Sequence, residues 1–447
     1  MSIKISEEIL SGNLNPRITW EGCSVLLDIN DGDRVLFARL TTGSKIKIGK
    51  ENLSLQPLIG CPFGSLFQVE VGENGPFLSR VVSTTEANNR EEEMDSPIVE
   101  ECRDNRAIVD NNTAQSLTSN DIYDMRKKGA TGDEIIEALI ANSATFEKKT
   151  AFSQEKYRIK KLKKYAPKVL LRRPFARSIC EAYFKKYAEK IGFLRVDSLS
   201  LVLSLANITA HSDVLVLDML DGIITGAVAE RLGGTGYVCN TYCRTPYPVN
   251  IVRMFNFSNE TSKRIVHASL AELRPSHSET LRSIDQLDDT SFNNIKQENK
   301  EVFTEESVSV NMDTVDNVAA SRKTKKSIQA GEKASLEAIK LWKENGFSSL
   351  IVAAPDLDAW CIVKELLPLL SYSAPFVIYH PYLQPLASCM HNLQIEKMAT
   401  GLQISEPWLR EYQGSSIENS SSYANELIRR LFIEWNSTHI SIIIDEM

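Results

Sequence analysis

Basic side chains are concentrated in one segment of this chain, in a pattern typical of contacts with phosphate groups. The segment contains Lys156, Arg158, Lys160, Lys161, Lys163, Lys164, Lys168, Arg172, Arg173 and Arg177. Between Gln154 and Ile179 there is one carboxylate, that of Glu155, and Tyr157 and Tyr165 add rings on which bases can stack. Because the whole chain carries a formal net charge of −7, this positive charge is local, and it predicts an RNA-binding surface. A solvated helix face is the alternative interpretation, and nuclear import is a compatible second use.

A second segment has the order of a nucleotide-binding turn but lacks the residues that such a turn needs. Val214–Leu217 is a continuous apolar run and Gly226–Leu232 a helix of small residues, which is typical of a parallel sheet. Between them, Leu220 and Ile224 lie where a cofactor turn has glycines that let the backbone approach the ligand. Residues 237–259 contain no Asp or Glu to receive ribose hydroxyls. The sequence therefore predicts the fold without a cofactor site.

Composition and cysteine spacing exclude several classes of protein. The chain has 447 residues, 43% of them hydrophobic and 24% charged, which is ordinary for two or three globular domains. Cys239 and Cys243 have no second Cys/His pair at zinc spacing, so we expect reduced thiols and no metal site. The sequence shows no signal peptide and no apolar run of the roughly 18 residues that span a bilayer. We expect a cytoplasmic or nuclear protein, and the basic segment favours the nucleus.

The N-terminal part is predicted to form a small β-barrel over residues 1–82. Short β-branched and aromatic runs in 17–82 are separated by Gly, Asn and Asp turns, as in such barrels. A structural or docking module is one interpretation, and an RNA surface through Lys45, Lys47 and Lys50 is the other. Residues 83–117 are acidic and polar with few large apolar side chains, and this composition predicts a disordered linker.

The basic side chains belong to residues 118–194, which are predicted to form a helical segment. Ser119 is the predicted N-cap of a first helix, and Thr131 and Glu134 form the capping box of a second. The basic residues follow on a helix that we expect to break near Pro167.

The remaining residues, 195–447, have the alternation of a Rossmann-like α/β domain. A helix over Asp197–Asn207 precedes the apolar strand, and Tyr237–Thr241 is the predicted second strand. Residues 276–331 are polar and predicted to be a disordered insertion in a surface loop. Beyond it we expect helix, strand, helix and strand at Ala334–Glu344, Leu350–Ala353, Asp358–Leu370 and Phe376–Tyr379.

Taken together, these segments resemble one family closely, the non-catalytic subunit of the tRNA (adenine(58)-N(1))-methyltransferase. The most specific pieces are LTSNDIYDMRKKGATGDEIIEALIANSATFEKKTAFSQEKYRIKKLKKY (117–165), RVDSLSLVLSLANI (195–208), PFVIYHPYLQPLASCMHNLQ (375–394) and ISEPWLREYQ (404–413). The resemblance runs from about residue 18 to 413. It implies a β-barrel domain and a degenerate methyltransferase domain. It also implies a catalytic partner subunit that binds S-adenosylmethionine, a heterotetramer of two copies each, and methylation of an adenine in the T-loop of tRNA.

The resemblance explains the empty cofactor turn, and one departure from the family accompanies it, at the tail. Catalytic relatives have a Glu-x-Gly-x-Gly-x-Gly turn where this chain has Asp218 to Ile224. They also have an Asp two residues before a Pro. If Pro355 corresponds to that proline, Ala353 takes the place of the Asp, and Asp356 lies past the proline. Family members end with an Arg-Thr-His-Pro motif and a glycine-rich hairpin, and neither occurs in the tail 414–447. We expect the apolar run Ile440–Ile444 to pack loosely or to miss the strand position of that hairpin.

Three interpretations of function remain. The favoured one is a non-catalytic subunit that binds tRNA and supports a catalytic partner, without a cofactor of its own. The second is an active S-adenosylmethionine-dependent methyltransferase with an unusual turn. The third is an RNA-binding scaffold linked to translation.

Overall fold

Two compact units make up the described part of the chain. The computed structural model describes residues 17–49, 51–72, 75–81, 115–274 and 331–407, and the backbone of Ile440–Ile444. The first unit comprises Met1–Ile191 with Asn250–Asn256, and the second comprises Gly192–Val249 with Phe257–Met447. Most of the predicted linker and insertion lies outside the described residues. At their ends, Gln115 forms a bridge with Ser143, and the Gly331 N–H donates to the Ile265 carbonyl at 2.9 Å, so these ends belong to the fold.

The first unit is built on an antiparallel sheet and a hairpin that share one core. Its strands are β1 Ser24–Ile29, β2 Arg34–Arg39, β3 Lys45–Ile48, β4 Glu51–Ser54, β5 Leu66–Gly72, β6 Gly75–Arg80 and β7 Lys168–Arg172. The sheet order is β2-β1-β7-β5-β6, and β3 pairs with β4. Alternate residues such as Leu27, Val69 and Leu171 point inward and pack with Leu53 of the hairpin. The predicted antiparallel strands of the N-terminal part are confirmed; among the described residues the five-stranded sheet is open, with β2 and β6 at its edges.

The central strand of this sheet corrects the sequence prediction. The basic helix ends at Tyr165, so the predicted break near Pro167 is confirmed. Beyond the break, Lys168–Arg172 is an extended strand paired with both β1 and β5, within a segment predicted to be helical over 118–194. Val169 and Leu171 are buried, and Lys168, Leu170 and Arg172 alternate with them. The N-terminal unit therefore does not end at residue 82, and the helical segment 118–194 is interrupted by a strand of that unit.

The described residues of the first unit also form four α-helices: α1 Ser119–Lys127, α2 Gly132–Ala141, α3 Ala151–Tyr165 and α4 Ala176–Tyr187. The predicted capping box of Thr131 and Glu134 is confirmed. The cap of α1 is Thr118 rather than Ser119, because the Thr118 hydroxyl accepts from the Asp121 N–H and the Asp121 carboxylate accepts from the Thr118 N–H.

A short segment distant in sequence also belongs to the first unit. The side chain of Asn256 makes two hydrogen bonds of 2.7 Å with Ser24, accepting from its N–H and donating to its carbonyl. Tyr183 of α4 lies against Phe37, with ring centroids 5.1 Å apart, and its hydroxyl lies 3.8 Å from the Met254 sulfur. The outer face of β1 and β2 is covered in this way.

The second unit is a parallel sheet with helices. Its elements are α5 Val196–Leu205, β8 Asp213–Asp218, α6 Ile223–Leu232, β9 Tyr237–Tyr242, α7 Asn259–Lys263, β10 Ile265–Ser269, α8 Leu270–Leu273, β11 Glu332–Lys333, α9 Leu336–Asn345, β12 Ser349–Ala353, α10 Ala359–Leu366, β13 Phe376–His380, α11 Leu383–Ile395, β14 Leu402–Ser405 and β15 Ile440–Ile444. The order is β11-β10-β9-β8-β12-β13-β15-β14. The order reverses beside β8, as in doubly wound sheets. The predicted Rossmann-like α/β fold is confirmed.

The last strand corrects a second prediction. Ile440–Ile444 pairs in parallel with β13 and with β14, so the expectation that it misses a strand position is wrong. The rest of the tail 414–447 lies outside the described residues, as do the side chains of this strand.

Pairing on both sides predicts slow hydrogen exchange for this strand. Amide protons in the middle of β15 should exchange at least about 100-fold more slowly than those of an unstructured peptide, because both ladders must open first. Hydrogen exchange followed by mass spectrometry on peptides covering 440–444 measures this. Exchange at the rate of an unstructured peptide would contradict the pairing.

In the part of the chain with described coordinates, no helix is long and apolar enough to cross a membrane. Over the same residues, no three His, Cys, Asp or Glu side chains are grouped as metal ligands. The cysteines described there are free thiols, and burial raises the pKa of Cys389 to about 12.

Candidate nucleic-acid interface and cofactor turn

Helix α3 presents five of the ten predicted RNA-binding side chains to solvent. Thr150 caps it by accepting from the Ser153 N–H, and none of its residues is buried. Lys156, Lys160 and Lys164 are exposed and four residues apart, so they form one stripe along the helix. Arg158 and Lys163 are exposed on other faces, and Lys161 is half-buried. Within the described residues, no carboxylate pairs with the three stripe lysines.

Aromatic rings hold several of these cations in place. The Nζ of Lys161 lies 5.0 Å from the centroid of Tyr157 and 6.0 Å from that of Tyr165. Further cation–ring contacts at 5.0–5.7 Å are Lys149 over Tyr157, Arg158 over Phe146, and Arg126 and Lys164 over Tyr165. At this distance the ring quadrupole attracts the cation. The tyrosines predicted as base-stacking surfaces therefore already carry lysines, and their main effect is to fix the positions of positive charges.

The turn between β1 and β2 fixes the end of α3. The Asn30 side chain donates to the Lys163 carbonyl at 3.2 Å and accepts from the Lys168 N–H at 3.1 Å. The Asp33 carboxylate lies 2.8 Å from the Lys163 Nζ. Asn30 adopts a φ of 53°, which asparagine tolerates better than most residues. Sequence analysis missed these two residues; the Asn-Asp-Gly-Asp turn was visible, but its partners lie more than 100 residues away.

The basic residues after α3 are divided between structure and surface. Arg172 lies 3.0 Å from the carboxylate of Asp28, which is buried, and 3.9 Å from that of Glu181. Arg177 lies 2.8 Å from Glu181. Lys168 and Arg173 are exposed. Arg172 and Arg177 therefore serve intramolecular ion pairs, and the structure brings the other predicted cations together mainly on α3.

In the second unit, the turn after β8 is satisfied by its own carboxylate. Asp218 is fully buried and accepts three hydrogen bonds of 2.8 Å, from the Leu220 N–H, the Thr225 N–H and the Thr225 hydroxyl. Burial raises the pKa of Asp218, and the hydrogen bonds from Thr225, Leu220 and Gly222 oppose this shift. The Thr225 N–H, which lies in the first turn of α6 where this fold would receive a ligand anion, is thus occupied.

The space in front of the same turn is filled. Gly222 has a φ of 88°, and a Cβ built on it would lie 2.8 Å from the Cα of Val249. The side chains of Leu220 and Ile224 are buried, and they take the positions where glycines would leave the backbone open to a ligand. Val249 was not singled out in the sequence, because nothing in its neighbourhood indicates that the loop folds back.

The ends of the neighbouring strands also lack cofactor ligands. At the end of β9, Asn240 and Thr241 are buried, and the Asn240 Oδ1 and Thr241 Oγ1 have no hydrogen-bond partner among the described residues. Ala353 is buried at the end of β12, Asp356 is exposed, and burial lowers the pKa of His380, which favours the neutral ring. The residues present do not fit S-adenosylmethionine, since the turn lacks free donors, open backbone and a ribose carboxylate.

Comparison with known proteins gives consistent matches. Residues 19–329 match the model of the Gcd10p family. The tRNA (adenine(58)-N(1))-methyltransferase non-catalytic subunit of Dictyostelium discoideum is 34% identical over 395 residues, which cover 88% of this chain and 74% of that protein. The protein of the same name from Mus musculus is 30% identical, covering 86% of this chain and 83% of the relative. The structure of a SAM-dependent O-methyltransferase from Thermotoga maritima matches 86% of this chain and 80% of its own, with 9% identity and a TM-score of 0.37.

Proposed function

This chain belongs to the Gcd10p family, and from that membership we propose that it acts as the non-catalytic subunit of a tRNA (adenine(58)-N(1))-methyltransferase. In this role the chain binds tRNA and supports a catalytic subunit that forms 1-methyladenosine in the T-loop. S-adenosylmethionine is bound by that partner and not by this chain.

The closed turn after β8 is the observation that carries the proposal. Asp218 occupies the donors of the turn, and Val249 fills the space in front of Gly222. A methyltransferase needs these donors and this backbone surface for its cofactor. The chain has the parallel sheet of a methyltransferase but a closed cofactor turn, as expected of a subunit that supports a catalytic one.

The second part of the role, tRNA binding, is supported by the stripe of lysines on α3. Lys156, Lys160 and Lys164 repeat every four residues and are exposed, so one RNA backbone strand can follow them. Arg158, Lys161 and Lys163 extend the positive surface around the helix.

Assembly and location complete the proposal. We propose a heterotetramer with two copies of each subunit, acting in the nucleus. The family name of the relatives supports a catalytic partner, and the exposed lysines of α3 are also suited to import.

Loss of the cofactor site predicts a sharp difference between the isolated chain and the complex. The isolated chain should show no calorimetric heat with S-adenosylmethionine at up to about 1 mM, since a missing charged hydrogen bond alone costs roughly 1.5–3 kcal/mol. Leu220→Gly with Ile224→Gly should not restore binding, because Asp218 and Val249 remain. Methylation of tRNA should require both subunits.

Two results would overturn the proposal in different ways. Micromolar cofactor binding or turnover by the isolated chain would mean an active methyltransferase. Purification of the chain with RNA but without any methyltransferase subunit would mean an RNA-binding scaffold.

A further inference from the structure

The end of α4 carries exposed aromatic rings beside lysines, on a surface separate in sequence from α3. The rings of Phe184 and Tyr187 are each 40% exposed. They are three residues apart on one helix and so share a face. Neighbouring exposed rings form a small apolar patch, and apolar patches rimmed by polar groups are typical of binding surfaces. Nothing in the basic segment singled out from the sequence includes them.

The Tyr187 ring packs against the interior of the first unit. Its centroid lies 6.0 Å from that of Tyr183, which is buried. Tyr183 in turn packs on Phe37 of the sheet. The exposed ring therefore rests on the core of the unit, and little conformational freedom is lost when another ring stacks on it.

Positive charge surrounds the ring. The Nζ of Lys186 lies 4.9 Å and that of Lys190 5.3 Å from the Tyr187 centroid. Lys185 is also exposed, and Glu189 is the single carboxylate of the stretch from Phe184 to Lys190. The lysines lie over an exposed ring, and a base can take their place on its face while these flexible side chains turn to its phosphates. Tyr187 differs in this from Tyr157 and Tyr165 of α3, which are half-buried. A protein surface as occupant would need acidic groups to match the lysines.

We propose that Phe184, Lys186, Tyr187 and Lys190 form a second RNA site, which binds unpaired nucleotides by stacking, while α3 follows the phosphate backbone. The inference rests on the proposed tRNA binding and adds to it a site that selects single-stranded over duplex RNA. Duplex RNA keeps its bases stacked on one another and cannot use the ring.

Two variants of the assembled complex test the site, with oligouridine, an RNA duplex of equal length, and tRNA as probes. Tyr187→Ala should weaken oligouridine binding at least about fivefold, which corresponds to the smallest free energy expected for the stack of one base on one ring. Binding of the duplex should be unchanged. Tyr187→Phe keeps the ring and should bind like the unmodified complex. Lys186→Gln with Lys190→Gln should reduce the slope of log K against log[salt] for oligouridine by about 1.4. Tyr372→Ala, at a fully exposed tyrosine of the second unit, is the control.

The outcomes separate this site from the proposed function. If the unmodified complex fails to bind tRNA, the proposed function fails. If it binds tRNA and Tyr187→Ala leaves oligouridine affinity unchanged, the second site is wrong. If Tyr187→Ala instead releases the catalytic subunit, the surface is a protein interface and the inference is overturned. Equal losses for oligouridine and duplex would also overturn it, since stacking would not be the cause.

Discussion

Replacing Lys156, Lys160 and Lys164 by Glu should lower the affinity of the assembled complex for tRNA by about 100-fold. Each exposed lysine–phosphate contact is worth up to about 1 kcal/mol, so three contacts amount to roughly 3 kcal/mol. On duplex regions of tRNA, the slope of log K against log[salt] should fall by about 2.7, because three counterions are no longer released. Filter binding or fluorescence anisotropy at several salt concentrations measures both quantities.

Within the described residues the three stripe lysines form no ion pair, and among them Lys164 alone contacts a ring, that of Tyr165, so their replacement removes few contacts within the chain. Lys163 pairs with Asp33 and Lys161 lies between two rings, so reversing those charges would also disturb contacts within the chain. The matched control replaces Lys263, Lys343 and Lys397 by Glu, which makes the same charge change at exposed lysines of the second unit. An unchanged slope in the stripe variant, or an equal loss in the control, would mean that α3 is an ordinary solvated helix or an import signal.

Replacing Asp218 by Ala should reduce the free energy of unfolding of the parallel-sheet unit by about 3 kcal/mol. The N–H groups of Leu220 and Thr225 and the Thr225 hydroxyl lose their acceptor, and each buried donor without a partner costs about 1–3 kcal/mol. Part of this cost is offset, because a buried carboxylate no longer has to be accommodated. Urea titration followed by hydrogen exchange in peptides from β8 and α6 assigns the change to this unit.

The control for this variant is an aspartate without such a role. Asp356 is exposed after β12, and Asp356→Ala should change stability by less than about 0.5 kcal/mol. A change of similar size at Asp218 would show that the turn does not depend on its carboxylate. The Asp218→Ala chain should still fail to bind S-adenosylmethionine, because Val249 continues to cover Gly222.

Patterns within a few residues allowed much of the fold to be predicted. The apolar run of β8, the small-residue helix α6 and the strands β12 and β13 follow from local periodicity, since both faces of a parallel sheet are buried. The helical prediction for Lys168–Arg172 was wrong because the local strand pattern there is weak. Its period-two alternation is only five residues long and follows a strongly helical basic run, so the local signal was weaker than its surroundings. Its pairing with β1, about 140 residues away, decides the conformation.

The same contrast applies to the sites. The cations of α3 could be identified because charge density is a property of composition. Their division into an exposed stripe, a half-buried Lys161 held between two rings and the paired Arg172 depends on Asp28, Tyr157 and Tyr165, whose positions only the fold provides. The missing glycines at Leu220 and Ile224 were visible in the turn itself. Val249, which closes the turn, comes from a loop whose course has no local signal.

The first unit is made of segments that are far apart in the sequence, and this determines when its contacts can form during synthesis. Strand β1 needs β7, reached more than 140 residues later, and the amide of Asn256, 232 residues after Ser24. A ribosome therefore has to translate past β9 before the N-terminal sheet can acquire its last hydrogen bonds. Such distant pairing slows folding, because loop closure must precede the stabilising contacts. Until then the emerging N-terminal strands have exposed edges, and a message truncated before Asn256 would encode a product whose first unit is left incomplete.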